Sequence, residues 1–216
     1  MKEAQLTAAG IVIDVIEGNN LNKVFQKYSQ ENKISPKDIS QIKDLVFGTL
    51  RSYGKTKFVI NKLVKRMPSN TLILSLLHVA LFQLISNRSN SYTVVDQAVS
   101  ASNMINKRHT KFINGVLRTF LREKESILKK AEKIEEVKYS YPIWWINLIK
   151  KEYPKSWSNI LDLGNSHPPL IIRVNIKKGG VSKYIKKLEK LNIKHQYLGI
   201  EAILIKNPMP IDSLPG

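Results

Sequence analysis

Residues 72–85 are apolar almost all the way round, interrupted only by Ser75, His78 and Gln83. A helix with a polar face can lie on a surface, but one without such a face must be enclosed by other elements. The run is also too short for a bilayer, which needs about 20 apolar residues. The rest of the chain is therefore expected to wrap helices around this segment, and its periodicity supplies them. Leu6, Ala9, Ile13 and Ile16 recur at helical spacing, and Gly18-Asn19-Asn20 stops the run. Leu21, Val24, Phe25 and Tyr28 repeat the pattern. Ser35-Pro36-Lys37-Asp38 reads as a helix start: a capping hydroxyl, a proline suited to the first turn and a carboxylate at the positive end. The helix it opens carries Ile39, Ile42, Val46, Leu50 and Tyr53 on one face, with Gly54 expected to close it in a left-handed conformation. Val59, Leu63, Val64 and Met67 form a further set ended by Pro68. After a polar loop at 86–91, which includes Arg88, two more helices follow. Val95, Ala98, Ser102 and Ile105 mark the first; Phe112, Ile113, Val116, Leu117, Phe120 and Leu121 mark the second. Seven helical segments within about 120 residues predict an all-α bundle.

Composition changes after Leu121. Charges dominate residues 122–138, a solvated helix or a linker, so the chain is expected to divide into residues 1–124, 125–138 and 139–216. An aromatic-rich helix with Trp144, Trp145, Leu148 and Ile149 comes next, then a shorter one with Trp157, Ile160 and Leu161 that Gly164 ends. The period then switches. Residues 170–175, 193–198 and 202–206 read as strands, and residues 181–191 as a helix behind a turn at Gly179-Gly180. The order strand–helix–strand–strand predicts a small α+β unit, part of a split βαβ arrangement.

The chemistry begins with what is missing. The chain of 216 residues has no cysteine, which excludes disulfides, thiolate metal ligands and a cysteine nucleophile. His78, His109, His167 and His195 are scattered, without metal-ligand spacing, and no metal is expected; His78 reads as a hydrogen-bonded core residue. No secretory signal or membrane span is evident, so the expected location is the cytoplasm. Leu161-Asp162-Leu163-Gly164 looks like the strand-end motif of proteins that bind S-adenosylmethionine. It lacks the further glycines that let backbone approach a cofactor, and the preceding residues read as helix, so no cofactor is expected here.

Charge is the positive signal. Lys and Arg number 35 against 17 Asp and Glu, a net charge of +18. An imbalance of this size repels itself and points to a polyanionic partner. Three basic groups stand out. Lys107, Arg108 and Lys111 lead into Arg118 and Arg122, which share a helix face. Arg51 and Lys55 form a lesser group. Arg173, Lys177 and Lys178 begin a third, continued by Lys183, Lys186, Lys187, Lys190 and Lys194. Each group is read as RNA-contacting, with a merely solvated basic face as the alternative. Tyr139, Tyr141, Trp144, Trp145 and Trp157 suit either core packing or base stacking.

Particular motifs then carry a resemblance. Val46-Phe47-Gly48-Thr49-Leu50-Arg51 and Phe112-Ile113-Asn114-Gly115-Val116-Leu117-Arg118 resemble the two strongest motifs of NusB-like RNA-binding domains. The second is similar in particular to the form fused to RsmB/Sun-type methyltransferases of 16S ribosomal RNA. Tyr139-Ser140-Tyr141-Pro142-Ile143-Trp144, His167-Pro168-Pro169-Leu170-Ile171-Ile172-Arg173-Val174-Asn175 and Leu214-Pro215-Gly216 match that family's later segments, in order. Asp38 is followed by Ile39 where NusB-like domains often have Asp-Arg. The resemblance implies a seven-helix domain and a small α+β RNA-binding extension ahead of a methyltransferase domain. That domain would use S-adenosylmethionine and two cysteines to methylate carbon 5 of a cytosine. The chain would then be the front part of such an enzyme, transferring no methyl group alone. Its partners would be 16S rRNA or its precursor and the catalytic domain in cis. A free-standing NusB-like antitermination factor and a helical protein-interaction module are the alternatives. Asn114 is read both as a structural residue and as an RNA contact.

Overall fold

The computed structural model describes residues 2–31, 34–87, 89–166 and 168–215. Arg88, His167 and Gly216, singled out above, lie outside the described residues. The chain divides into two compact units, Met1–Leu161 and Asp162–Gly216.

The first unit opens with seven helices: α1 (Lys2–Ile16), α2 (Leu21–Glu31), α3 (Pro36–Arg51), α4 (Tyr53–Leu63), α5 (Thr71–Ser86), α6 (Ser91–Ile105) and α7 (Thr110–Ala131). The predicted central helix is α5, which packs against α1, α3, α4, α6 and α7. Its two sides serve two cores. Ile73, Leu77, Ala80, Leu81 and Leu84 join α4, α6 and α7. Leu76, Val79 and Phe82 join α1, α2 and α3. The missing polar face is thus explained: both sides of α5 are interior.

Local signals set the helix ends. Ser35 Oγ accepts from the Asp38 N–H at 3.2 Å and donates to its carboxylate at 2.7 Å, the predicted start of α3. The predicted end differs. α3 stops at Arg51, Ser52 is the junction, and Tyr53 and Gly54 open α4. Gly54 is not a left-handed cap. A Cβ there would stand 3.3 Å from the Glu136 carbonyl oxygen, so glycine permits a close approach between α4 and α8 (Glu135–Tyr139). Val64, placed in a helix by its spacing, lies just past α4 in extended backbone and is buried, while Met67 is exposed.

Some polar groups inside the bundle are bonded across helices. Ser75 donates to the Ala9 carbonyl at 2.8 Å, and Gln5 Nε2 donates to Gln83 Oε1 at 2.6 Å. His78 is the expected hydrogen-bonded core histidine. Its ring stacks on Tyr53 with centroids 4.6 Å apart, and its Nδ1 lies 2.6 Å from Thr56 Oγ1. The Thr56 hydroxyl also lies 3.1 Å from the Tyr53 carbonyl, so its one proton serves either that oxygen or His78 Nδ1, according to the tautomer of the ring. Burial, with a smaller push from Lys57, lowers the His78 pKa from 6.5 to about 4. The unfolded chain therefore takes up this proton first as pH falls. The stabilisation is complete above pH 6.5 and is lost between there and about 4, with a limit of about 3 kcal/mol. Urea unfolding of wild type and His78→Phe at pH 7 and pH 4.5 is expected to show a smaller pH-dependent loss in the variant. An identical loss in both contradicts this account.

Beyond Leu121, α7 does not break. It runs on through the charged segment to Ala131, anchored by buried Ile127 and Ala131. After α8 come α9 (Ile143–Glu152) and α10 (Trp157–Asn165). Gly164 lies inside α10, rather than ending it. Tyr139, Ile146, Ile149 and Leu161 form a small core with Trp145 and Trp157 against it. The aromatics divide accordingly: Tyr139 is buried edge-on to Trp157 at 5.5 Å, whereas Trp144 is 65% exposed.

The second unit holds β1 (Leu170–Arg173), α11 (Gly180–Lys190), β2 (His195–Gly199) and β3 (Ala202–Ile205). β3 lies between the others, antiparallel to both, pairing Leu170 with Ile205 on one side and His195 with Ile205 on the other. β1 and β2 consequently run parallel, joined through α11, which is the expected split βαβ arrangement. Val174, Leu188, Ile193, Ile203 and Ile205 form its core. The fold is thus mainly α: a helical bundle followed by a small α+β extension.

Candidate nucleic-acid interface

Helix α7 positions the main basic group. Lys111, Gly115, Arg118 and Arg122 are all exposed, and on a helix these positions fall within one narrow wedge. The stripe extends about 16 Å along the axis, at 1.5 Å per residue. Ile113, Val116, Leu117 and Phe120 occupy the opposite, buried side, so core packing fixes the direction of the stripe. Two side-chain bonds hold its arginines. Arg118 Nε donates to Asn114 Oδ1 at 2.9 Å, and Arg122 Nη2 donates to Thr119 Oγ1 at 3.0 Å. Asn114 therefore orients Arg118, one turn away, rather than bonding a backbone carbonyl. Lys107 and Arg108 are exposed in the short 3-10 turn before α7, where Asn106 Oδ1 accepts from the Arg108 N–H at 3.0 Å.

A groove lies on either side of the stripe. The α6 side has a cavity of about 380 Å³ lined by Tyr92, Asp96, Asn114 and Arg118 among others. The α4 side has one of about 330 Å³ where Lys65 and Arg66 face Lys111 and Thr119. The sequence alone does not single out Lys65 and Arg66. In a lysine-rich chain an isolated Lys-Arg pair carries no distinguishing signal, and only the packing of α4 on α7 brings it beside the stripe.

Gly115 contrasts with Gly10, Gly48 and Gly54, the glycines packed against neighbours in the same bundle. A Cβ on Gly115 would meet nothing within 4 Å. Glycine costs a helix interior about 0.5–1 kcal/mol relative to alanine. No packing within the described residues offsets that cost, and the backbone lies bare in the middle of the cationic stripe.

The lesser group is placed elsewhere. Lys55 Nζ is 3.2 Å from Glu132 Oε1, just past the end of α7, whereas the Lys65–Arg66 end of α4 faces the beginning of α7. The helices are antiparallel, so Arg51 and Lys55 lie near the far end of α7, on the order of 30 Å from Lys111. Lys55 is neutralised by its partner, and Arg51 remains exposed. Lys124 also stands outside the stripe: its Nζ donates to the Leu84 carbonyl and to Asn87 Oδ1, closing α5, and burial lowers its pKa.

In the second unit Arg173, Lys177 and Lys178 flank β1 and the turn before α11. Arg173 Nε donates to Glu201 Oε2 at 2.9 Å, although the Arg173 side chain is 86% exposed. Lys177 and Lys178 are exposed.

Among the described residues no group of three or more His, Asp or Glu is placed to hold a metal ion, and no helix is long and apolar enough to cross a membrane. Residues 161–164 lie within α10. They present no strand-end turn with backbone open to a nucleoside, so they do not fit S-adenosylmethionine.

Comparison with known proteins divides the chain in the same order. Residues 2–122 match the model of the NusB family, and residues 141–212 match the ferredoxin-like domain of the RsmF/B-like methyltransferases. The first match covers more than half of the sequence, and the chain belongs to the NusB family. Similar curated proteins extend across both matches. The probable ribosomal RNA small subunit methyltransferase B of Coxiella burnetii is 33% identical over 204 residues, covering 91% of this chain and 47% of that protein. Ribosomal RNA small subunit methyltransferase B of Shigella boydii serotype 18 is 30% identical over 216 residues, covering 97% and 49%. That of Escherichia coli strain SMS-3-5 has the same identity and coverage. The chain spans about half the length of the curated relatives it matches. The crystal structure of PH0851 aligns with 98% of this chain and 50% of its own, at a TM-score of 0.57 and 18% identity, a likeness of fold alone.

Proposed function

We propose that this chain is the RNA-gripping portion of an S-adenosylmethionine-dependent methyltransferase that modifies carbon 5 of a cytosine in 16S rRNA. In this reading it acts in the cytoplasm, binds 16S rRNA or its small-subunit precursor, and positions it for a catalytic domain outside residues 1–216. The observation that carries the reading is the α7 stripe: Lys111, Arg118 and Arg122 on one exposed face, with no carboxylate between them and bare backbone at Gly115. Cations at this spacing neutralise successive phosphates, and glycine lets a sugar–phosphate backbone come close. Lys107, Arg108, Lys65 and Arg66 widen the same surface, while Arg51, Lys55 and the second unit provide separate contacts. Residues 1–124 are the gripping body, 125–138 the charged segment that carries the end of α7 into α8, and 139–216 the extension. A free-standing antitermination factor leaves the match over residues 141–212 without a role, and a protein-binding module leaves the cationic stripe without one.

The test is selectivity. Fluorescence anisotropy of the 216-residue protein at a fixed salt concentration is expected to show at least tenfold tighter binding to a 16S rRNA transcript than to duplex DNA of equal length. Equal affinities contradict the proposal, because charge alone does not distinguish the two.

A further inference from the structure

The second unit contains a cavity of about 590 Å³ at the start of α11. Arg173, Lys178, Gly180, Lys183, Tyr184 and Lys187 line one side of it, from the end of β1, the turn before α11 and the first two turns of α11, and apolar side chains including Ile211 and Leu214 complete the wall. Four cations from three stretches of chain thus converge on one concave space, and among the described residues no Asp or Glu lines it. The Arg173–Glu201 pair neutralises part of this charge, but no ion pair among the described residues involves Lys178, Lys183 or Lys187. Bringing like charges together on one wall is unfavourable unless an anion joins them.

The backbone contributes further. Gly179 and Gly180 take φ of +131° and +75°, a conformation that suits glycine, and no side chain caps the first turn of α11. Lys183 folds back over this turn: a Cβ on Gly179 would stand 2.7 Å from its Cδ and 3.5 Å from its Nζ. The Lys183 ammonium is therefore held beside the helix start, where uncapped N–H groups also attract negative charge. The Tyr184 hydroxyl, a proton donor at neutral pH like that of any tyrosine, lines the same cavity.

We propose that this cavity is a phosphate-binding site, engaged by a backbone phosphate of RNA through Lys178, Lys183, Lys187 and the first turn of α11. The RNA part rests on the function proposed above and deepens it. The second unit becomes a fixed anchor point, distinct from the open α7 stripe.

Two measurements on the 216-residue chain test it. Titration with inorganic phosphate, followed by amide resonances, is expected to shift Gly180, Val181 and Ser182 saturably. Absence of a localised shift overturns the site. Single-stranded U20 is expected to move the same amides. Lys178→Ala/Lys183→Ala/Lys187→Ala is expected to weaken U20 binding at least tenfold, against less than threefold for Lys186→Ala/Lys190→Ala/Lys194→Ala, which removes equal charge outside the cavity. Circular dichroism confirms that both variants are folded. Equal losses overturn the proposal in favour of diffuse charge. If phosphate shifts these amides and U20 does not, the site serves a free phosphate-bearing ligand and the RNA assignment is overturned. Failure of wild type to prefer a 16S transcript overturns the functional reading separately, since the phosphate titration does not depend on it.

Discussion

Replacing Lys111, Arg118 and Arg122 together by alanine is expected to lower affinity for a 16S rRNA transcript on the order of 100-fold, without unfolding the protein. A charge-assisted hydrogen bond to phosphate contributes at least about 1 kcal/mol at its weak end, so three lost contacts amount to roughly two decades in Kd. Stability should change little, because all three side chains are exposed and point away from the α7 core. The control is Arg51→Ala/Lys55→Ala, at the far end of α7, where Lys55 already pairs with Glu132. Its expected loss is a few-fold. If the two variants bind RNA equally well, the α7 face is not the principal contact.

Gly48→Ala is expected to destabilise the first unit by about 1–3 kcal/mol through overpacking, despite the better helix propensity of alanine. A Cβ on Gly48 would lie 2.0 Å from Phe82 Cζ and 2.5 Å from both Cε atoms. That aromatic ring is part of the buried core shared by α1, α3 and α5. At about 2–4 °C per kcal/mol for a protein of this size, the melting temperature should fall by roughly 3–10 °C. Phe82→Leu leaves room for the new methyl group, so Gly48→Ala/Phe82→Leu should cost less than the sum of the single changes. An unchanged melting temperature for Gly48→Ala contradicts the packing described for α3 on α5. The comparison with Gly115 is instructive: two glycines in similar helical motifs answer opposite demands, one to a buried ring and the other to open solvent.

Features governed by local spacing were legible before the fold was known. The nearly all-apolar run of α5 implied enclosure, and Ser35-Pro36-Lys37-Asp38 implied a helix start. Positions 111, 118 and 122 shared a face as soon as α7 was recognised. Features that depend on partners distant in sequence were not legible. Gly54 looked like a helix terminator, because a glycine after a periodic run is a common C-cap; its actual reason is the Glu136 carbonyl, contributed by α8. The continuation of α7 was obscured because only Ile127 and Ala131 mark its buried side among many charges. Lys55 looked available until Glu132 was placed beside it, and Lys65 and Arg66 looked incidental until α4 was packed on α7. Asn114 could bond in several ways on an isolated helix, and the Arg118 rotamer selects one of them.

The most direct test of the central claim, that the α7 stripe holds ribosomal RNA by its phosphates, is the salt dependence of binding. Each neutralised phosphate contributes roughly 0.7–0.9 to the slope of log K against log salt. Wild type should therefore show a steep slope against a 16S rRNA transcript, and Lys111→Ala/Arg118→Ala/Arg122→Ala a slope shallower by about 2–3. Identical slopes for the two proteins would place the phosphates on another surface and contradict the account.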